Sequence, residues 1–198
     1  MARRVVLALV CLAALLGTPF RAAETGGAAD MDPRNTAIFA GGCFWCLESA
    51  LKGQPGVVDT EAGYAGGHTQ APTYDQISTG RTGHAEVVRV TFDPVATSYA
   101  ALADAFLTKA HDPTQKNRQG VDVGPQYRSA LFPLDSAQET QAHAAIERAR
   151  AAWPRPVVTT VEAAPAFWPA ETHHQDYYAK WEATHGRPHP RAAAKSGR

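Results

Sequence analysis

Between Ala85 and Phe92 apolar and polar positions alternate, with Val88, Val90 and Phe92 on one face. That two-residue period predicts a half-buried strand, and Asp93-Pro94 stops it. Shorter runs predict further strands at Thr36–Ala40, Val57–Tyr64, Gln126–Phe132 and the β-branched Val157–Ala163. A helical period replaces the alternation elsewhere. Gly41-Gly42 allows a tight turn into a helix starting near Cys43, with Leu47, Ala50 and Leu51 on one face, and Pro55-Gly56 ends it. Ser98–Ala110 reads as a helix through Leu102, Ala105, Phe106 and Lys109; Ser136–Trp153, rich in Ala, Glu and Arg, is another, and Thr172–Trp181 is a short last one. Gly63, Gly66 and Gly67 mark a loop that continues to Pro72, and Pro165 to Pro169 turns the chain. Asp112–Pro125 is polar and without period, a loop long enough to be functional or mobile. Strands and helices intersperse without βαβ regularity. The expected fold is α+β: a single two-layer α/β sandwich over residues 34–183, with a mixed central sheet and flanking helices.

The ends of the chain read differently. Arg3 and Arg4 precede an apolar run from Val5 to Leu16, the layout of a secretory signal peptide. A membrane span needs roughly 20 apolar residues, so the run is short for one. Residues 1–23 are therefore expected to be a signal, cleaved somewhere between 23 and 29, followed by a linker at 24–33. A lipoprotein with Cys11 at its new N-terminus would need a small residue where Val10 stands. The Pro-rich, basic stretch 184–198 is expected to be a disordered tail. Cleavage would export the chain, in a periplasmic setting, with no stable membrane insertion afterwards.

Composition narrows the function classes. The 198 residues carry 19 Lys+Arg and 19 Asp+Glu, a net charge of zero, and non-specific nucleic-acid binding needs a basic surface instead. Three cysteines are too few for a disulfide scaffold. A signal cleavage would leave two, Cys43 and Cys46, in an oxidising compartment where a dithiol must be re-reduced to do reductive chemistry.

Those two form the sharpest motif, Cys43-Phe44-Trp45-Cys46, at the predicted start of a helix. Unpaired N–H groups and the positive end of the helix dipole stabilise a thiolate there, so Cys43 is expected to be the low-pKa nucleophile. Cys46, one turn on, can attack a sulfenic acid or mixed disulfide on Cys43. The pair alone also fits an inert buried pair, or half of a zinc site. The chain has no second C-x-x-C for zinc, and His173-His174 are adjacent residues that point apart on a helix. Phe44 and Trp45 suit a site for a small apolar group such as a methyl, although packing into the core is the commoner role of an isolated Phe-Trp.

The block Gly41-Gly42-Cys43-Phe44-Trp45-Cys46-Leu47-Glu48 resembles the signature of the methionine sulfoxide reductase A family. The likeness continues in Gly63-Tyr64-Ala65-Gly66-Gly67, Pro72-Thr73-Tyr74, Thr82-Gly83-His84-Ala85-Glu86, His111-Asp112-Pro113, the run from Arg118 to Ser129, and His174-Gln175-Asp176-Tyr177-Tyr178. These blocks keep the family order over about residues 38–178.

The resemblance implies an enzyme that reduces methionine S-sulfoxide, free or in oxidised proteins, with no cofactor, no metal and a thioredoxin-like reductant. By the same resemblance Cys43 is the nucleophile, Glu86 the acid, Tyr74 and Tyr127 the oxygen-binding phenols, Asp122 an aspartate of the same pocket, and Phe44 and Trp45 the methyl pocket. Many members carry a resolving cysteine near the C-terminus; here no cysteine follows Cys46, which leaves Cys46 as the candidate resolver. His84 reads as structural. Without the family, Glu86 would pass for a solvated strand residue, Tyr74 for a loop aromatic, Tyr127 for strand packing and Asp122 for a turn residue. A thioredoxin-type disulfide oxidoreductase and a methionine-binding module are the competing readings; nothing in the chain demands more than a monomer.

Overall fold

The structure, a computed structural model, describes residues 31–163 and 166–191. The expected signal and the linker residues up to 30 lie outside them; of the linker's last three, Met31 packs into the core and the Pro33 carbonyl accepts from Gln138. Among the described residues no helix is long and apolar enough to cross a membrane.

Six strands form one sheet in the order β7-β6-β1-β3-β2-β8. They are β1 (Thr36–Gly41), β2 (Val57–Ala65), β3 (Ala85–Phe92), β6 (Ser129–Phe132), β7 (Thr160–Val161) and β8 (Phe167–Pro169). β6 and β7 are parallel and the other pairs antiparallel, so the sheet is mixed, as expected. Alternation along the strands sorts side chains between its two faces. Phe39, Ala62, Tyr64, Val88, Val90 and Leu131 meet the helices, whereas Ile38, Ala40, Val87, Ala130 and Phe132 form a second cluster on the other face.

The helical layer holds α1 (Phe44–Lys52), α3 (Tyr99–Ala105) and α4 (Ser136–Ala152). Each buries one stripe: Phe44, Leu47 and Leu51 from α1, Leu102 and Ala103 from α3, Ala142, Ala145, Ile146 and Ala149 from α4. Ser98 caps α3 by accepting the Ala101 amide hydrogen at 3.2 Å, and Asp135 caps α4 by accepting that of Gln138 at 2.7 Å. A short α2 (Tyr74–Ser78) begins in a capping box between Thr73 and Gln76.

Several elements differ from the periodicity reading. The helix expected over Ser98–Ala110 ends as α at Ala105, and Phe106–Ala110 continue it as a π-helical turn. Gln126–Phe132 is strand only from Ser129, because Gly124 and Pro125 open a 3-10 turn over Pro125–Tyr127. Of Val157–Ala163 only Thr160–Val161 pair; Val158 instead gives its N–H to the Pro113 carbonyl. The expected turn Pro165–Pro169 supplies the edge strand β8, where the missing N–H of Pro169 is tolerated. The last helix, α5 (Tyr177–His185), starts later than Thr172, since Asp176 sits in the left-handed region at φ 52° and breaks the helical path. Within the long polar loop, β4 (Arg118–Gln119) and β5 (Asp122–Val123) form a two-stranded ladder.

Candidate active site

The site is built where β1 hands over to α1. Gly42 takes φ 92°, and a Cβ there would lie 2.4 Å from the Cβ of Gln119, so the turn admits only glycine without displacing that chain. Gln119 is itself fixed: its side chain accepts the Asp112 N–H at 3.3 Å and donates to the Asp112 carbonyl at 3.1 Å. Cys43 follows as the N-cap of α1, and its carbonyl takes the N–H groups of Cys46 and Leu47, both at 3.1 Å. Cys43 and Cys46 are both buried and are not joined by a disulfide.

The acid comes from β3. Tyr64 and Glu86 are directly paired across β2 and β3, so both project to the helical side of the sheet beneath α1. Glu86 is 2% exposed, and its Oε2 accepts the Phe44 N–H at 2.9 Å. Burial, with the Asp122 charge adding to it, pushes its pKa up to about 8 against the pull of that hydrogen bond. Glu86 is therefore a protonated carboxylic acid at neutral pH.

The same contact corrects the expectation for Cys43. The Phe44 N–H, a first-turn donor that would stabilise a thiolate, is given to Glu86 instead. The Cys46 thiol beside it, then burial, then the Glu86 charge all push the Cys43 thiol up, not down. Cys43 rests as a thiol.

Aromatic groups wall the remaining sides. Phe44 is fully buried, 6.3 Å from Tyr74 and 5.9 Å from Tyr64 between ring centroids. Trp45 lies flat on Tyr177, centroids 3.8 Å apart at 10°, and donates its indole N–H to Nδ1 of His174 at 3.1 Å. Tyr74 and Tyr127, both half-buried, feel the charges of Glu86, Cys43 and Asp122; burial first and those charges next hold both phenols above the usual range, as neutral donors. The seven residues expected in the site besides Cys46 thus converge: Cys43, Phe44 and Trp45 from the start of α1, Tyr74 from α2, Glu86 from β3, Asp122 from β5 and Tyr127 from the 3-10 turn. The Cys46 sulfur lies 3.0 Å from the Tyr178 hydroxyl.

A sequence model described as peptide methionine sulfoxide reductase matches residues 35–195. The chain belongs to the peptide methionine sulfoxide reductase family. As a member it is an oxidoreductase. A peptide methionine sulfoxide reductase MsrA from Erwinia tasmaniensis is 54% identical over 144 residues, covering 72% of this chain and 80% of the relative. The crystal structure of Mxr1 from Saccharomyces cerevisiae in reduced form aligns with a TM-score of 0.71 at 32% identity, over 80% of this chain and 92% of that one. Mxr1 in complex with Trx2 aligns with a TM-score of 0.51 at 25% identity, over 74% and 87%.

Around this reductase site stand groups that sequence reasoning missed. Glu171 accepts from the Tyr64 hydroxyl at 2.8 Å and the Tyr74 N–H at 2.9 Å, tying β2 to the start of α2. Buried Glu48 accepts the Asp176 N–H at 2.9 Å, which pins the start of α5; burial and then the Asp176 charge raise its pKa to about 7. Glu48 and the block containing Tyr178 were visible in the family signature, whereas Glu171 stands in no motif. His84 braces the loop ahead of Tyr74, with Nδ1 accepting from Gly67 N at 3.2 Å and Nε2 2.7 Å from the Thr69 carbonyl. The described part of the segment expected to be a disordered tail, residues 184–191, also differs, and residues 192–198 lie outside the described residues. Residues 184–185 finish α5, and Gly186 at φ 64° turns the chain back so that Arg191 pairs with Asp122 at 2.6 Å. Among the described residues no group of three or more His, Cys, Asp or Glu could hold a metal ion.

Proposed function

We propose that this chain reduces methionine S-sulfoxide, free or within proteins, with Cys43 as nucleophile, Glu86 as acid and Cys46 as resolving thiol. The observation that carries the reading is the buried Glu86 carboxyl held at 2.9 Å against the N–H that follows Cys43, where burial pushes its pKa up to about 8. A sulfoxide sulfur becomes electrophilic when its oxygen is protonated or strongly hydrogen-bonded. Glu86 gives that proton, and the neutral phenols of Tyr74 and Tyr127 hydrogen-bond the same oxygen. Phe44 and Trp45 receive the methyl on the sulfur, and Asp122 lines the pocket.

The steps balance. The Cys43 sulfur bonds to the sulfoxide sulfur while Glu86 protonates the oxygen, and the proton that Cys43 gives up replaces the one lost from Glu86. That sulfur–sulfur bond then breaks as the hydroxyl passes from the substrate sulfur to Cys43, which releases methionine, reduced by two electrons, and leaves Cys43 as a sulfenic acid. Cys46 displaces it as water and the Cys43–Cys46 disulfide forms. A dithiol partner of the thioredoxin kind then takes the oxidation, becoming a disulfide as the two thiols return. The Mxr1–Trx2 complex supports a partner of that class. The apolar run Val5–Leu16 supports export, and an exported chain needs a reductant on the same side of the membrane.

The test is a single turnover of reduced enzyme with excess of each sulfoxide epimer and no external reductant. About one methionine per enzyme from the S epimer alone, with two thiols lost, is expected. No methionine from either epimer overturns the reading and returns the cysteine pair to disulfide exchange.

A further inference from the structure

The segment after α5 carries a role that no motif announces. Gly186 reverses the chain, and Pro188 and Pro190 restrict the residues between them, so ordering this segment costs little backbone entropy. His189 lies flat on Tyr178, with ring centroids 4.6 Å apart at 15°, and meets Trp181 edge-on at 4.8 Å. Its Nδ1 accepts the Arg191 N–H at 3.2 Å. The Arg191 guanidinium thereby reaches Asp122 of β5 at 2.6 Å.

We propose that Arg191 is a positioning residue of the thiol site: held by Asp122, it keeps a fixed positive charge beside Cys43 and Cys46 that stabilises the Cys43 thiolate as it forms. This rests on the reductase reading. One helix-start donor, the Phe44 N–H, is spent on Glu86, which leaves the Cys46 N–H as the backbone donor to the Cys43 sulfur and a place for a charge beside it. The groups that face Cys43 are otherwise neutral or acidic. Cys46 shares its helix, Glu86 comes from β3, and Tyr178 from α5. Tyr74 and Tyr127 face it from α2 and the 3-10 turn, and Asp122 faces those two phenols. Arg191 is the cation on this side: its strap stacks through His189 on Tyr178, whose hydroxyl lies 3.0 Å from the Cys46 sulfur, and its charge acts on both thiols. Its pairing also keeps the site balanced toward Glu86: Asp122 favours the protonated acid and Arg191 opposes it.

The experiment compares wild type with Arg191→Gln and Arg191→Lys in the full chain. The first readout is the pH midpoint of Cys43 alkylation by iodoacetamide, located by mass spectrometry; the second is the single-turnover rate. Arg191→Gln is expected to move the midpoint up by about one pH unit and slow the single turnover about tenfold. Arg191→Lys is expected to restore most of both, since it keeps the charge. An unchanged or lowered midpoint in a folded Arg191→Gln variant overturns the proposal. A merely structural strap would move neither midpoint nor respond to the charge-conserving variant. Alkylation needs no sulfoxide, so it decides the role of Arg191 even where the wild type yields no methionine.

Discussion

Oε2 of Glu86 accepts the Phe44 N–H at 2.9 Å, and this one contact links the acid to the nucleophile's own helix. It aims the carboxyl at the turn that carries Cys43 and withdraws a backbone donor from the sulfur. Burial keeps Glu86 protonated to about pH 8, so the resting site pairs a carboxylic acid with a thiol. Both partners are uncharged until an oxygen arrives that needs a proton. Glu86→Gln keeps an acceptor for the Phe44 N–H and cannot give a proton. Its single-turnover methionine formation is expected to fall by about 10²–10⁴-fold, with folding intact by circular dichroism.

The same burial links stability to pH. Folding raises Glu86 from the ordinary value of 4.5 to about 8, and Glu48 from 4.5 to about 7. The folded chain therefore binds more protons than the unfolded one across that window, and its stability falls as pH rises through it. The contribution is fully present below pH 4.5 and is lost as pH passes about 7 for Glu48 and about 8 for Glu86. Urea midpoints measured from pH 4.5 to 9 are expected to flatten in Glu86→Gln and flatten further in the double variant with Glu48→Gln. Sulfoxide reduction by the wild type is expected to decline above about pH 8 as Glu86 ionises. A rate that climbs steadily to pH 9.5 would remove Glu86 from the acid role.

Cys46 separates resolution from reduction. Its sulfur sits on the Tyr178 hydroxyl at 3.0 Å, one helical turn from Cys43. Cys46→Ala is expected to make one methionine per enzyme at a rate close to wild type, to stop at a sulfenic acid that dimedone traps, and to form no internal disulfide. Multiple turnover with a thioredoxin-like donor is expected to be lost. Normal multiple turnover in this variant would deny Cys46 the resolving role.

The sheet was largely legible because its strands alternate and its turns carry Gly and Pro. Ala85–Phe92 was bounded to the residue, since Asp93-Pro94 marks its end. Pairing decided what alternation could not: Phe167–Pro169 becomes a strand because Gly63, Tyr64 and Ala65 offer it an open edge. The cysteine pair and its helix were readable from local spacing. The environment of Cys43 was not, because Phe44 N–H meets Glu86 across 42 positions of sequence. Glu171 and Arg191 were missed for the same reason, reaching Tyr74 and Asp122 from 97 and 69 positions away.

Two glycines separate strain from crowding. Gly42 and Gly186 both hold positive φ, at 92° and 64°. A methyl at Gly186 meets nothing within 4 Å, so Gly186→Ala carries only the left-handed penalty of about 1–2 kcal/mol. A methyl at Gly42 also runs into Gln119 at 2.4 Å, and Gln119 is clamped by Asp112 and cannot swing aside. Overpacking adds about 1–3 kcal/mol, so Gly42→Ala is expected to cost about 2–5 kcal/mol in all. Because Gly42 precedes the nucleophile, the relief displaces Cys43 from Glu86, and single-turnover activity is expected to fall even at temperatures where the variant stays folded. Gly186→Ala instead leaves the turn into α1 intact and loosens only the strap, so its alkylation profile at Cys43 should shift upward in the manner of Arg191→Gln. Denaturant melts and the alkylation profile, read on both variants, distinguish damage at the front of the helix from loss of the charge behind it.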